Sequence, residues 1–148
     1  MNEEAPPREI LAVANETVAG RSLIEAVERH AAEGPVRVTV LAPINHPREG
    51  YVVYEDTRRA AAGRRLDRTL ELLRGEGIDA HGQVAHPDPF TAAMQAVYDE
   101  RVDQIIVSTF PGERSGWLKR DVVGRLRKET RIPVEHVVVE PAAVGAEV

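Results

Sequence analysis

The sequence predicts an α/β protein built on an open, doubly wound sheet of five parallel strands with helices on both faces. Two observations carry this. Short apolar or β-branched runs alternate in strict order with longer segments whose apolar residues recur at helical spacing. The clearest unit spans Asp103 to Glu140, where Gln104–Thr109 and Val134–Glu140 flank a basic segment of period 3.6, the pattern of strand, crossover helix and parallel strand. Five strands are too few for a closed eight-stranded barrel, and right-handed crossovers then cover both faces of an open sheet.

Ile10–Ala14 is an apolar run bounded by Pro7 and by Asn15-Glu-Thr17, as expected of a strand buried on both faces. Leu23, Val27 and Ala31, with Ile24 beside them, form the stripe of a first helix. Gly34-Pro35 ends it, because Gly suits the position after a helix and Pro cannot continue one. Val36–Ala42 is the second strand. After a long connection, Ala62, Leu66, Leu70 and Leu73 line one side of a second helix that stops near Gly75-Glu-Gly77. Asp79–Ala85 is a third strand whose His81 and Gln83 point to a sheet edge. Asp88-Pro89 opens the third helix, with Asp88 as cap and Pro89 in the first turn, and turns Phe90, Ala93, Met94 and Val97 inward. The fourth strand is Gln104–Thr109. The fourth helix is predicted over Trp117–Thr130 with Leu118, Val122 and Leu126 inward, and the fifth strand over Val134–Glu140. The chain reads as a single domain over residues 1–148 with a core from about residue 9 to 140, and the unpatterned tail after Glu140 is expected to fray.

With 43% hydrophobic and 29% charged residues, the composition is that of a soluble globular protein. There is no Cys, which removes disulfides, thiolate nucleophiles and thiolate metal sites together. A net charge of -5 argues against a nucleic-acid partner. No apolar run is long enough to span a bilayer, and the start of the sequence, Met1-Asn-Glu-Glu-Ala-Pro-Pro, lacks the basic and apolar regions of a signal peptide, so a cytoplasmic location is expected. The charge is uneven: Glu113 to Arg131 carries a local balance of +4.

Ligands of open α/β sheets bind at the carboxyl edge of the strands. The connection after the fourth strand, which bears Ser108, Thr109, Gly112, Arg114 and Ser115, is therefore the leading place for small-molecule chemistry. Elsewhere the signals are weaker. His46 and His86 follow the second and third strands with Asp88 nearby, but no H-x-x-x-H or H-E-x-x-H spacing exists, so no metal is assigned. No G-x-S-x-G elbow is present and no catalytic residue is assigned. The long segment from Pro43 to Asp56, with Tyr51-Val-Val-Tyr54, is either a lid or a packing surface. Arg58, Arg59, Arg64, Arg65 and Arg68, interleaved with Asp56, Asp67 and Glu71, read as a solvated helix face.

Taken in order, Ile10-Leu-Ala-Val-Ala-Asn-Glu-Thr17, Ile105-Ile-Val-Ser-Thr109 with its glycine-containing loop, and Pro133-Val-Glu-His-Val-Val-Val139 resemble the universal stress protein family, in a divergent form similar to short actinobacterial members. The resemblance covers nearly the whole chain. It implies strand order 3-2-1-4-5 in a three-layer, adenine-nucleotide alpha-hydrolase-like sandwich, and a regulatory module rather than an enzyme, with slow ATP hydrolysis as the outer limit. ATP-binding members carry Gly-x-x-Gly after the fourth strand and a later Gly-Ser/Thr, because glycines let backbone amides approach phosphate oxygens. This chain departs from that pattern. Ser108 stands near the first glycine, Pro111-Gly112 near the second, Arg120-Asp121 at the final pair, and Asn15 at the family's Asp.

The implied ligand is an adenine nucleotide such as ATP or AMP, or another anionic small molecule, at the edge of strands one and four. Ala14 would belong to the binding site, Asn15 and Thr17 would meet base or ribose, and Leu41 and Ala42 would offer backbone and apolar contact to a base. Ser108, Thr109, Gly112, Arg114, Ser115 and Arg120 would surround phosphates, with charge replacing glycine backbone. Lys119 and Arg120 are expected in the first turn of the fourth helix, against its dipole. The alternative is a protein-interaction module with a vestigial pocket. The fifth strand, as a sheet edge, is expected to pair in a homodimer, which relatives in the family also form through this strand.

Overall fold

In the computed structural model of the chain, the described residues are 6–14, 21–43, 55–85, 88–109 and 121–138. Strands β1 (Arg8–Ala14), β2 (Val36–Pro43), β3 (Asp79–Ala85), β4 (Gln104–Thr109) and β5 (Val134–Val138) alternate with helices α1 (Arg21–Ala31), α2 (Glu55–Gly75), α3 (Pro89–Asp99) and α4 (Val122–Thr130). All four strand pairs are parallel, and the sheet order is β3-β2-β1-β4-β5. The predicted fold class and strand order are both observed.

The alternation of side chains along each strand assigns the two layers. Ile10, Ala12, Val38, Val40 and Ile106 point to one face, where Leu23, Ala26 and Val27 of α1 and Leu66, Leu70 and Leu73 of α2 pack on them. Leu11, Val13, Leu41, Ile105 and Val107 point to the other, under Ala92, Ala93 and Ala96 of α3 and Val122, Val123 and Leu126 of α4. The central strands are covered on both sides, which is why β4 is buried along its whole length, with Ile105, Ile106 and Val107 at its centre. The third strand differs. Its Ala80 is buried against α2, whereas His81 and Gln83 are exposed on the face that α3 leaves uncovered, so its polar content marks an edge strand with one covered face.

Local chemistry sets the joints. The last turn of α2 closes with Gly77 in the left-handed region at φ 80°, the Gly77 amide donating to Arg74 O at 3.0 Å and the Ile78 amide to Leu73 O at 3.1 Å. This paired arrangement satisfies carbonyls that the helix end would leave open, and Gly is the residue that adopts it without strain. Gly82 has a different reason. A Cβ there would lie 2.5 Å from Leu66 Cδ1 and 2.7 Å from Val40 O, so its absence lets α2 settle directly on β3.

Three boundaries differ from expectation. The first strand begins at Arg8, not Ile10, because the Arg8 amide donates to Pro35 O at 3.0 Å and the charged side chains of Arg8 and Glu9 reach solvent at the sheet's rim. The fourth helix begins at Val122, with Asp121 as its cap, not at Trp117; residues 117–120 lie outside the described residues. The expectation for Lys119 and Arg120 thus falls on residues outside the described ones. Of the fifth strand, Val134–Val138 is described and residues 139–140 are not.

Candidate functional site

The register decides which strand ends meet. Ala14, the last residue of β1, lies opposite Ser108 of β4, and Val13 lies opposite both Leu41 of β2 and Val107 of β4. The chain thus leaves β1 between the exits of β2 and β4. Crossovers run to opposite sides of the sheet from this point, the place where open α/β sheets form a crevice. Of the predicted site residues, Ala14, Leu41, Ala42, Ser108 and Thr109 are brought together along this one edge. Asn15, Thr17, Gly112, Arg114, Ser115 and Arg120 lie outside the described residues, as do His46 and His86.

Within the group, side-chain direction separates the members. Ala14, Ala42 and Ser108 share the face of α1 and α2, and Leu41 and Thr109 share the face of α3 and α4. Ala14 and Ala42 are each 5% exposed, so the rim between β1 and β2 is lined by methyl groups and backbone. Ser108 and Thr109 are both fully buried. Thr109 Oγ1 lies 2.8 Å from Nε2 of His136, two residues before Val138, the residue opposite Thr109 on β5. Burial, helped by the nearby Arg127 guanidinium, lowers the pKa of His136 below its ordinary value and favours the neutral ring. Arg127 itself is spent on the backbone, donating to Val134 O at 3.0 Å.

Both helices on this face start at the same edge, and both are capped by an aspartate. Asp88 accepts from the Thr91 amide at 3.3 Å and from its hydroxyl at 2.5 Å, as the Asp-Pro pattern predicts. Asp121 accepts from the Gly124 amide at 3.2 Å with its own backbone left-handed, at φ 53° and ψ 45°. Arg125, one turn into α4, stacks over the Phe90 ring of α3 at 3.9 Å and joins the two helix starts.

Two of these residues escaped the sequence reading. Asp121 carried a signal, an Asp three residues before a Gly at a helix start, which the expected start at Trp117 concealed. His136 carried a fainter one, a polar residue at an inward position of an apolar strand. Among the described residues no group of three or more His, Asp or Glu side chains could hold a metal ion. No helix among them is long and apolar enough to cross a membrane.

No family model matches the chain, and no curated protein matches it. Solved structures do. A universal stress protein from Archaeoglobus fulgidus shares 17% identity at a TM-score of 0.64, covering 88% of this chain and 93% of that one. A structure of the universal stress protein from the same organism in complex with dAMP shares 21% identity at a TM-score of 0.60 over 89% and 98% of the two chains. A universal stress protein family protein from Arabidopsis thaliana with AMP bound shares 16% identity at a TM-score of 0.60 over 92% and 94%. At such identities the likeness is one of fold, and the fold is that of universal stress proteins.

Proposed function

We propose that the chain is a universal stress protein-like regulatory module, non-enzymatic, that binds an adenine nucleotide or another anionic small ligand at the carboxyl edge of β1 and β4. The observation that carries this is the register of Ala14 against Ser108, which ends β1 and β4 side by side at the switch point of the sheet. Support comes from the solved examples of the same fold that hold dAMP and AMP. In this reading Asn15 and Thr17 meet base or ribose, and Leu41 and Ala42 supply backbone and apolar contact. The phosphate end falls to Ser108, Thr109, Gly112, Arg114, Ser115 and Arg120. Two copies pair along β5, the outer strand, where Val138 is 36% exposed.

Isothermal titration with adenosine, AMP, dAMP and ATP tests the ligand, on protein shown to be folded by circular dichroism and sized by light scattering. Saturable heats with adenine compounds and none with inorganic phosphate alone are expected. Silence at millimolar nucleotide would retire the proposal.

One observation favours a second reading, a protein-interaction module without a nucleotide. Ser108 and Thr109 are wholly buried, and the Thr109 hydroxyl is already engaged by His136. A folded dimer that ignores every nucleotide in the titration would be the outcome that selects it.

A further inference from the structure

Both outer strands of the sheet receive an arginine from the helix that precedes them. Arg74, in the last turn of α2, donates Nε and Nη2 to Ala80 O of β3 at 3.0 and 2.7 Å. Arg127, in the last turn of α4, donates the same two groups to Val134 O of β5 at 3.3 and 3.0 Å. A carbonyl oxygen has two lone pairs, so two donors leave it nothing to offer a strand of another chain. The Ile105 amide donates to Pro133 O at 2.9 Å, which turns the Pro133 carbonyl and the backbone groups of Glu135 and Val137 toward β4. Val134, His136 and Val138 therefore aim theirs away from the sheet, and Arg127 closes the first of these carbonyls. The open stretch, His136-Val-Val138, bears no acid, lysine or arginine, and Val138 is 36% exposed. Thr109 draws the His136 ring back toward β4, which keeps it off the outer side of the strand. On β3 the corresponding stretch is poorer: Gly82 has no side chain to pack, and His81 and Gln83 are exposed and polar.

We propose that Arg127 sets the register in which two copies of this chain join along β5: antiparallel, with Val137 opposite its own counterpart and His136 of each copy opposite Val138 of the other. This deepens the pairing along β5 given above and rests on it. In an antiparallel pair, opposed residues whose backbone groups face each other exchange both N–H···O bonds, and the residues between them stand closer without bonds. With His136 opposite itself, Val134 would face Val138 and call on the carbonyl that Arg127 has filled. With Val138 opposite itself, a single bonded pair would remain within β5. A two-fold axis at Val137 uses only open groups, sets Val138 against the His136 ring, and brings the two Val137 side chains together on the face of α1. Such a contact is complementary to itself and closes at two copies. Arg74 and the polar side chains of β3 keep the other edge out of it.

The chain has no cysteine, so single cysteine substitutions read the register directly. Val137→Cys, His136→Cys and Val138→Cys are each oxidised mildly in the full chain, with folding checked by circular dichroism and mass by light scattering. In the proposed register the two copies of position 137 have Cα atoms about 4.5 Å apart, within disulfide reach. The copies of 136, and those of 138, are diagonal neighbours about 7–8 Å apart and beyond it. Val137→Cys is therefore expected to cross-link and the other two are not. Arg127→Lys keeps the charge and gives up the two-donor fork. Combined with each cysteine substitution, it should shift cross-linking from Val137→Cys toward His136→Cys by about fivefold, the worth of one hydrogen bond. Cross-linking strongest in His136→Cys or Val138→Cys overturns the register and leaves the pairing along β5 standing. An unchanged pattern in Arg127→Lys overturns the role of Arg127. A monomer with no cross-link in any variant overturns register and pairing together. Should His136→Cys not fold, a dimer that cross-links through neither Val137→Cys nor Val138→Cys still overturns the register.

Discussion

At the amino edge of the sheet the strands begin in a mesh of charged side chains, whereas at the carboxyl edge they end in methyl groups, buried hydroxyls and helix caps. On the face of α3 and α4, Arg37 of β2 sits directly opposite Glu9 of β1 and Asp79 of β3 and donates to both, at 3.2 and 3.4 Å. Asp103, just before β4, accepts the Glu9 amide at 2.9 Å while its own amide donates to Glu9 O at 2.8 Å. On the other face Arg8 reaches His30 Nδ1 at 3.2 Å. Arg can only donate, so Nδ1 must accept, and Nε2 then carries the proton toward Glu135 at 3.0 Å. Arg29 closes on the same carboxylate at 2.6 Å. These contacts tie α1, β1, β4 and β5 together at one end. The difference teaches a division of labour: register is secured at the edge where strands start, and among the described residues the opposite edge has fewer cross-strand side-chain ties, so its chemistry can vary without the sheet losing alignment.

A change midway between the edges sets the scale. Ile106→Ala, in the fully buried centre of β4, should cost about 2–5 kcal/mol in urea unfolding and weaken both ends alike. Next comes Asp103→Ala, which strips the Glu9 amide of its partner. It should cost about 1.5 kcal/mol, at the low end for a bond to a charged acceptor because the side chain is partly exposed, and hydrogen exchange should quicken at the amino edge first. At the carboxyl edge Thr109→Val keeps the shape but removes the contact to His136, a loss of about 1 kcal/mol, with exchange quickening in β5 and not in β1. An equal spread of both effects across the sheet would erase the contrast.

The smallest effect, and the sharpest, is in pH. The Glu9 amide foremost, with Arg101 and Arg8, holds Asp103 below its ordinary 3.8; its contribution is complete above that value and is lost as pH falls through the lowered one. His136 is held below its ordinary 6.5 by burial and then by Arg127, so the folded state disfavours its protonation. Its contribution is complete above 6.5 and declines as pH falls below it. The carboxyl edge should therefore weaken first on acidification. Urea midpoints recorded from neutral to acid pH should show a shallow early slope that His136→Gln abolishes and Asp103→Ala leaves intact; the reverse pattern would refute the assignment.

Much of this molecule is written in periodicity. The apolar or β-branched runs within Ile10–Ala14, Val36–Ala42 and Gln104–Thr109, alternating with the stripes Leu66-Leu70-Leu73 and Leu23-Val27, are best buried in a parallel sheet between helices, and a local pattern suffices to state that. Asp88 as a cap was legible for the same reason, since a cap acts on its own next turn. The resemblance of short motifs supplied the strand order, which periodicity alone does not contain. What only the tertiary structure decided involves partners distant in the chain. It paired Thr109 with His136, drew Arg8, His30 and Glu135 into one chain of bonds, and started α4 after Asp121. Register and burial choose such pairings, and both are properties of the assembled sheet: shifting one strand by a single residue would exchange every one of these neighbours while leaving its local sequence pattern untouched.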